Sequence, residues 1–341
     1  MSVVRTVAGD IAPAALGPTL MHEHLLCDIT PLAIRHLPDR EIRIEETDAI
    51  RRSWGVDHPG NHRLDDPALA STELARLVEA GGSGLVELTC GGMRPDPAGL
   101  AAIAQRTGLA IVMGCGYYTE AYAGEALSLK AVEALAGEMV GAVRGGAWGT
   151  TVRAGIIGEV GVSDPCAPAE RRALEAAALA ATETGAAIIV HPGRDPRSPF
   201  DCVATLTAAG ADPARVVISH VDRTYFTIRD VLRLAETGCV ISFDFFGIEC
   251  AHYPFAPGID LPNDGTRLAY VRVLIDHGHQ GRVVLSHDIC TRTRLCRWGG
   301  HGYAHLLRNV VPMMRRRGFA EAEIEDLFTR TPRRLLTLPA G

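Results

Sequence analysis

The side chains with the clearest chemical potential are imidazoles and carboxylates at the ends of apolar runs. Met21-His22-Glu23-His24 closes the first run, and residues two apart on a strand share a face, so His22 and His24 converge. Alone, a His-x-His pair is a weak motif. Four later runs end in the same way: Gly-Ile-Ile-Gly-Glu at Glu159, Ile-Ile-Val-His at His191, Val-Ile-Ser-His at His220 and Val-Leu-Ser-His-Asp at Asp288. Imidazole and carboxylate oxygen suit Zn²⁺, Mn²⁺, Co²⁺ or a similar divalent ion, and six donors exceed one tetrahedral site. A carboxylate shared by two ions about 3.5 to 4 Å apart would let all six serve one binuclear centre. The bland alternative pairs each histidine with a backbone carbonyl and each carboxylate with an arginine. It is reasonable for any one residue and poor for six at five strand ends.

The elements that must gather these residues follow from the apolar pattern. Runs rich in β-branched residues recur at 19–26, 84–89, 110–118, 154–161, 186–191, 215–221, 239–246 and 282–288. Stretches of helical periodicity lie between most of them, at 71–80, 98–107, 169–184, 201–208, 227–236 and 265–277. Repeated βα units imply a parallel sheet covered by helices. Eight of them predict a (β/α)8 TIM barrel with extended βα loops, whose strand C-termini meet at one mouth. The two long decorations, 27–66 and 253–264, both follow strand C-termini. No linker or composition shift divides the chain, so 1–341 reads as one domain.

Composition narrows the function. In 341 residues, 47% are hydrophobic and 22% charged, the balance of a soluble globular protein rather than a disordered or membrane-spanning one. A net charge of -6 draws the chain to neither nucleic acid nor an anionic bilayer, and Arg315-Arg316-Arg317 is too short a run to change that. A small-molecule partner is expected. Lys130 is the only lysine, and it lies outside any Gly-rich phosphate loop; it reads as part of an amphipathic helical stretch, a poor place for Schiff-base catalysis. Nine cysteines without a Cys-x-x-Cys pair read as reduced thiols, mostly in the core. Residues 1–16 lack a signal-peptide apolar run, so a cytoplasmic location is expected.

With these residues in place, the chain resembles the phosphotriesterase family of the amidohydrolase superfamily over nearly its whole length. The resemblance implies that His22, His24 and Asp288 hold a more buried ion, that His191 and His220 hold a more exposed one, and that Glu159 bridges them. Many members bridge with a carboxylated lysine, which this chain lacks at that position. A glutamate in Gly-Ile-Ile-Gly-Glu is similar to the phosphotriesterase-related branch, as are Ser-His-Asp-Ile-Cys-Thr-Arg-Thr-Arg-Leu at 286–295 and Gly-Gly-His-Gly-Tyr at 299–303. Phosphotriester-cleaving members carry a histidine after the seventh-strand aspartate and an aspartate after the sixth-strand ligand. Here Phe245 follows Asp244 and Arg223 follows Asp222, which argues against phosphotriesters as the natural substrate.

The implied chemistry is hydrolysis without a protein nucleophile. Two ions, Zn²⁺ or else Mn²⁺, Co²⁺ or Ni²⁺, would lower the pKa of a shared water from about 15.7 to about 7, and Asp288 would orient it and take its proton. The expected substrate is a small ester, lactone or N-acyl amide, with or without an acid group, with weak promiscuous organophosphate hydrolysis. Tyr118 resembles a substrate-lining tyrosine of lactonases. Among Arg194, Arg223, Arg292 and Arg294, all after ligand-bearing strands, Arg223 is the favoured clamp for an acid group. His287 should face away from the site; His301 and His305 could form a local metal pair if helical, but the family resemblance instead implies a structural or loop-positioning role for them. Family resemblance suggests a homodimer. The competing readings are a metal-containing ligand-binding protein without turnover and a mononuclear deaminase-like hydrolase.

Overall fold

The strands form because short β-branched runs are buried on both faces, and they end where Gly, Pro or polar residues intervene. In the computed structural model, which describes residues 1–38, 40–52, 58–253, 256 and 258–339, eight parallel strands neighbour one another in chain order. They are β1 (Thr19–Glu23), β2 (Gly84–Glu87), β3 (Ala110–Cys115), β4 (Ile156–Gly161), β5 (Ile188–His191), β6 (Val216–Ile218), β7 (Val240–Phe243) and β8 (Val283–Leu285). Across the seam, His22 N donates to Ser286 Oγ at 2.9 Å and Asp288 N to His22 O at 3.1 Å. The Glu23 carboxylate reinforces the seam, accepting from Ser286 Oγ, His287 N, His287 Nδ1 and Ile289 N at 2.7 to 3.1 Å. The result is the (β/α)8 barrel.

The outer layer is α1 (Pro67–Glu79), α2 (Pro97–Thr107), α3 (Val132–Arg144), α4 (Pro168–Thr184), α5 (Ser198–Ala208), α6 (Ile228–Glu236) and α7 (Asp264–Asp276), followed by C-terminal helical turns. Side chains of Asp66, Asp96, Thr227 and Asn263 cap the first turns of α1, α2, α6 and α7. Gly108 (φ 72°) and Gly185 (φ 73°) end α2 and α4 in the left-handed region that a side chain would strain.

Period-two alternation sorts the barrel residues. Met21, Val86, Val112, Ile156, Ile189, Val217, Val240 and Val284 form one buried cluster with Val4, Leu16, Leu335 and Leu336, which close the barrel floor. Leu20, Leu85, Ile111, Ile157, Ile188, Val216, Ile241 and Leu285 belong instead to the larger core beneath the helices. A short antiparallel sheet of Val3–Thr6, Gly9–Ile11 and Thr337–Leu338 adjoins the floor.

The 27–66 decoration is tied at its base by Cys27–Asp28 pairing antiparallel with Arg63–Leu64. Its residues 39 and 53–57, like 254, 255 and 257 of the second decoration, lie outside the described residues. Lys130 is not helical: it precedes α3, with Nζ donating to Tyr117 Oη at 2.8 Å and Glu138 Oε1 at 2.6 Å, so its charge is spent on a local ion pair. No helix among the described residues is long and apolar enough to cross a membrane.

Candidate active site

All six residues singled out for metal binding meet at the barrel mouth. The Glu159 carboxylate is at the centre: Oε1 lies 3.6 Å from His24 Nε2, and Oε2 lies 3.4 Å from His22 Nε2, 3.3 Å from His191 Nδ1 and 3.6 Å from His220 Nε2. Asp288 Oδ1 stands 3.3 Å from His24 Nε2 and 3.6 Å from His22 Nε2. His22, His24, Glu159, His220 and Asp288 are buried, whereas His191 keeps partial exposure.

Strict alternation would not deliver this arrangement. Met21 and Ile156 face the barrel interior, which would turn His22 and Glu159 outward. Irregularities of register fall between Leu20 and Glu23 in β1 and between Ile157 and Val160 in β4, and each restores one ligand to the interior. His220 and Asp288 stand beyond their strands in the left-handed region, at φ 56° and φ 49°. Non-glycine residues tolerate that conformation only where their surroundings hold them, and such strain gathers at functional sites.

The partners of each imidazole assign its tautomer. His24 Nδ1 lies 3.0 Å from Thr89 Oγ1, whose own hydroxyl donates to Glu87 Oε1 at 2.6 Å, so His24 Nδ1 carries the proton. His22 Nδ1 faces Ser219 Oγ at 3.0 Å and Asp244 Oδ2 at 3.2 Å, and His220 Nδ1 faces Asp244 Oδ1 at 2.8 Å. His191 is reversed, with Nε2 3.3 Å from Tyr118 Oη and Nδ1 turned inward. His22, His24 and His220 thus direct Nε2, and His191 directs Nδ1, toward Glu159. His22 Nε2 is buried without a hydrogen-bond partner, an orphan that a cation would satisfy.

The donor atoms fall into overlapping groups, each within 4.8 Å: His22, His24 and Asp288, then Glu159, His191 and His220. A third, His22, His220 and Asp244, lies on the side where Asp244 hydrogen-bonds the rings and orients them. Burial raises the carboxyl pKa of Glu159, but the His22 charge and the His191 hydrogen bond outweigh it and hold the group well below the carboxylate range. Burial, helped by the neighbouring His220, lowers His191 to about 3 and keeps that ring neutral. For His22, His24 and His220 burial is outweighed by Glu159, Asp244 and Asp288, which raise them above the ordinary value, so a bound cation would displace their protons to meet neutral rings and ionised carboxylates. The residues present fit divalent cations.

Asp244 is the residue that sequence reasoning left without a role. It ends the β7 run in the same way as the chosen ligands end theirs, so the same strand-end criterion would have found it. Asp222, beside it, turns away: Oδ2 accepts from Arg267 Nε at 2.8 Å and Phe245 N at 3.0 Å. His305 Nε2 is bound to Asp264 Oδ2 at 2.7 Å, a structural contact. Neither histidine enters a candidate metal group among the described residues. His287 packs away from the site, between Glu23 and Leu306 N.

The arginines separate by partner. Arg292 is spent on Asp65 and the carbonyl of Arg63. Arg294 donates to the carbonyl of Asp288 and approaches its Oδ2 at 3.7 Å, bracing that ligand. Arg194 reaches Tyr253 Oη at 3.4 Å. Arg223 is 1% exposed, with Nη2 donating to Pro192 O at 2.8 Å and standing 3.3 Å from His191 Nε2; its Nε and Nη1 are buried without hydrogen-bond partners.

Comparison with known proteins agrees with this construction. A profile of the Phosphotriesterase family matches residues 2–336. N-acetyltaurine hydrolase of Bos taurus is 37% identical over 340 residues, covering 98% of this chain and 97% of the relative. A resiniferatoxin-binding protein from Rhodobacter sphaeroides superposes with a TM-score of 0.91 at 33% identity, covering 98% of this chain and 94% of that one. A mutant PTE-like lactonase of Deinococcus radiodurans gives a TM-score of 0.75 at 26% identity, covering 98% and 99%. The barrel, the donor set at its mouth and these likenesses together establish that the chain belongs to the phosphotriesterase family and is one of its hydrolases.

Proposed function

We propose that this protein is a binuclear metal-dependent hydrolase of small N-acyl amides bearing an acid group, of the N-acetyltaurine type, acting in the cytoplasm as a homodimer. The observation that carries the substrate assignment is Arg223. Burying a guanidinium with two N–H edges unpaired is costly, and a sulfonate or carboxylate would satisfy them in a charge-assisted fork. Relatives named N-acetyltaurine hydrolase, 37% identical over almost the whole length, support the amide reading.

In this reading His22, His24 and Asp288 would hold one ion and His191 and His220 the other, with Glu159 available to both. When bound, a pair of divalent cations, zinc being the best match to the donors, supplies Lewis acidity and an acidified water. The chain's own residues do the rest. Tyr118 Oη, already at His191, lines the acyl group, and Arg223 fixes the acid end so that the amide bond is held over Glu159. Asp288, placed by Arg294 and the seam, takes the proton of the attacking water and passes it to the leaving nitrogen. Tyr118 and the lactonase neighbour favour lactone hydrolysis as a second reading. Binding without turnover is disfavoured because the acid–base carboxylate is intact.

The test combines metal content by plasma emission with hydrolysis of N-acetyltaurine, a neutral N-acyl amide, an aryl ester and a lactone. Wild type should hold about two ions per chain and prefer the anionic amide; Glu159→Ala should lose metal and at least about a hundredfold in kcat/KM. Arg223→Met should raise KM for the anionic amide about tenfold and spare the neutral substrates. One ion per chain with Glu159→Ala unchanged would overturn the bridged centre, and a preference for the lactone would overturn the amide assignment.

A further inference from the structure

The ladder between β6 and β7 stops at Ile218 and Ile241, short of the residues at the mouth. Beyond it His220 turns into the left-handed region, so regular pairing does not extend to align His220 with Asp244. Side chains take over in a reciprocal clasp. Asp244 Oδ1 accepts from His220 N at 2.8 Å, and Asp222 Oδ2 accepts from Phe245 N at 3.0 Å. The segments leaving β6 and β7 thus grip each other at Asp244 and again at Phe245. Held this way, Asp244 meets His220 Nδ1 with Oδ1 at 2.8 Å and His22 Nδ1 with Oδ2 at 3.2 Å.

A buried cation lies behind the clasp. Arg267, fully buried on α7, donates Nε to Asp222 Oδ2 at 2.8 Å, and Nη1 to Asp264 Oδ1 at 2.9 Å and Ile248 O at 3.1 Å. Its guanidinium carbon lies 5.9 Å from the centroid of the Phe246 ring, and Asp264 Oδ1 also accepts from Gly247 N at 2.9 Å. Each residue from Phe245 to Ile248 is therefore held by Arg267 or by a carboxylate paired with it. Burying these charges is a poor device for stability alone, because desolvation offsets the attraction and apolar residues of similar volume are often as stable. What a guanidinium between two carboxylates supplies is direction, since its N–H donors form a rigid planar fork.

We infer that Arg267 is a positioning residue for the metal centre: it holds Asp222 and the turn after β7 so that Asp244 aims the Glu159-facing nitrogens of His220 and His22. The inference rests on the proposed reading of those two imidazoles as metal ligands. The hydrogen bonds of Arg267 go to Asp222, Asp264 and Ile248 rather than to the imidazoles, so its influence reaches them through the backbone at Phe245 and through the Asp244 carboxylate. An imidazole binds a cation along one lone pair, and a ring turned off that line loses affinity although the protein stays folded.

The experiment uses Arg267→Lys, which keeps the charge and loses the fork, and Asp222→Asn, which keeps the shape and an acceptor for Phe245 N. Each is made alone and together with Asp244→Asn, and zinc affinity is measured against a chelator on protein shown to be folded by circular dichroism. Arg267→Lys should weaken zinc binding about tenfold and Asp222→Asn at least about threefold. On the Asp244→Asn background either change should cost less than about twofold more, because residues acting through one another are not additive. Unaltered affinity in the folded single variants, or fully additive losses with Asp244→Asn, would overturn the inference and leave Arg267 a structural residue. A second readout is the downfield proton resonance of the hydrogen-bonded His220 Nδ1–H, recorded with zinc added. It should shift in Arg267→Lys and Asp222→Asn and stay in place in Ile189→Ala, which lowers stability from the barrel floor. An unshifted resonance, or an equal shift in Ile189→Ala, would also overturn the inference. If wild type holds one ion or none while the resonance still moves with Arg267, the bridged centre fails and the positioning of His220 stands.

Discussion

The floor and the mouth of the barrel are built from the same eight strands, often one alternate residue apart, yet they obey opposite rules. On the floor, Ile189, Val217, Val240 and Val284 interdigitate as a wholly apolar layer, and regular alternation suffices to place them. Two residues further along, the same faces present His191 after Ile189, Ser219 after Val217, Ser242 and Asp244 after Val240, and Ser286 and Asp288 after Val284. Apolar packing is non-directional, so the floor needs only the right volume. The mouth needs lone pairs aimed within a few tenths of an ångström, and it obtains them with register irregularities, left-handed residues and a carboxylate behind the imidazoles.

Three substitutions sharpen this contrast, and the largest effect is expected on the floor. Ile189→Ala leaves a cavity in a fully buried layer and should cost about 2 to 5 kcal/mol of stability by denaturant titration, with kcat per folded molecule retained. A matching loss of kcat at saturating metal would show that floor and mouth are not separable. The second effect belongs to the mouth. Asp244→Asn keeps the shape but weakens the acceptor of two imidazole N–H groups, and should lower metal affinity about 10- to 100-fold in competition with a chelator. Unaltered affinity would remove Asp244 from the orienting role.

The smallest effect concerns pH. Burial, with the neighbouring His287 and His305, holds His301 well below its ordinary value. A histidine depressed in the folded state binds fewer protons folded than unfolded, so its contribution to stability is complete above about pH 6.5 and is lost as pH falls below that. Metal-free wild type should lose up to about 1.4 kcal/mol per pH unit between pH 6.5 and 5.5 from this residue. His301→Gln should show a shallower decline in Tm over the same interval, and an identical slope would assign the acid sensitivity to other groups.

Much of this architecture is legible in the chain alone, for a physical reason. Strand and helix periodicities are local properties, so the βα rhythm, the eight repeats and the barrel could be read directly, as could the six donors, because each sits where an apolar run stops. The αL glycines after α2 and α4 and the caps before α1 and α2 are equally local signals. Lys130 was misread for the converse reason: its surroundings look helical in sequence, but its partners Tyr117 and Glu138 come from either side and hold it outside the helix.

Tertiary structure decided the orientations. Nothing in Thr-Leu-Met-His-Glu-His announces that β1 shifts register before His22, and without that shift a correct donor list would face the wrong way. His305 looks like a metal ligand until α7 brings Asp264 within 2.7 Å of it. The sequence favours Arg223 over Arg292 only by its place beside His220, and it is the fold that gives Arg292 an aspartate while leaving two buried edges of Arg223 unpaired. Residue type and spacing determine which groups can do chemistry; which of those groups meet, and which remain unsatisfied for a ligand, depends on contacts between residues far apart in the chain.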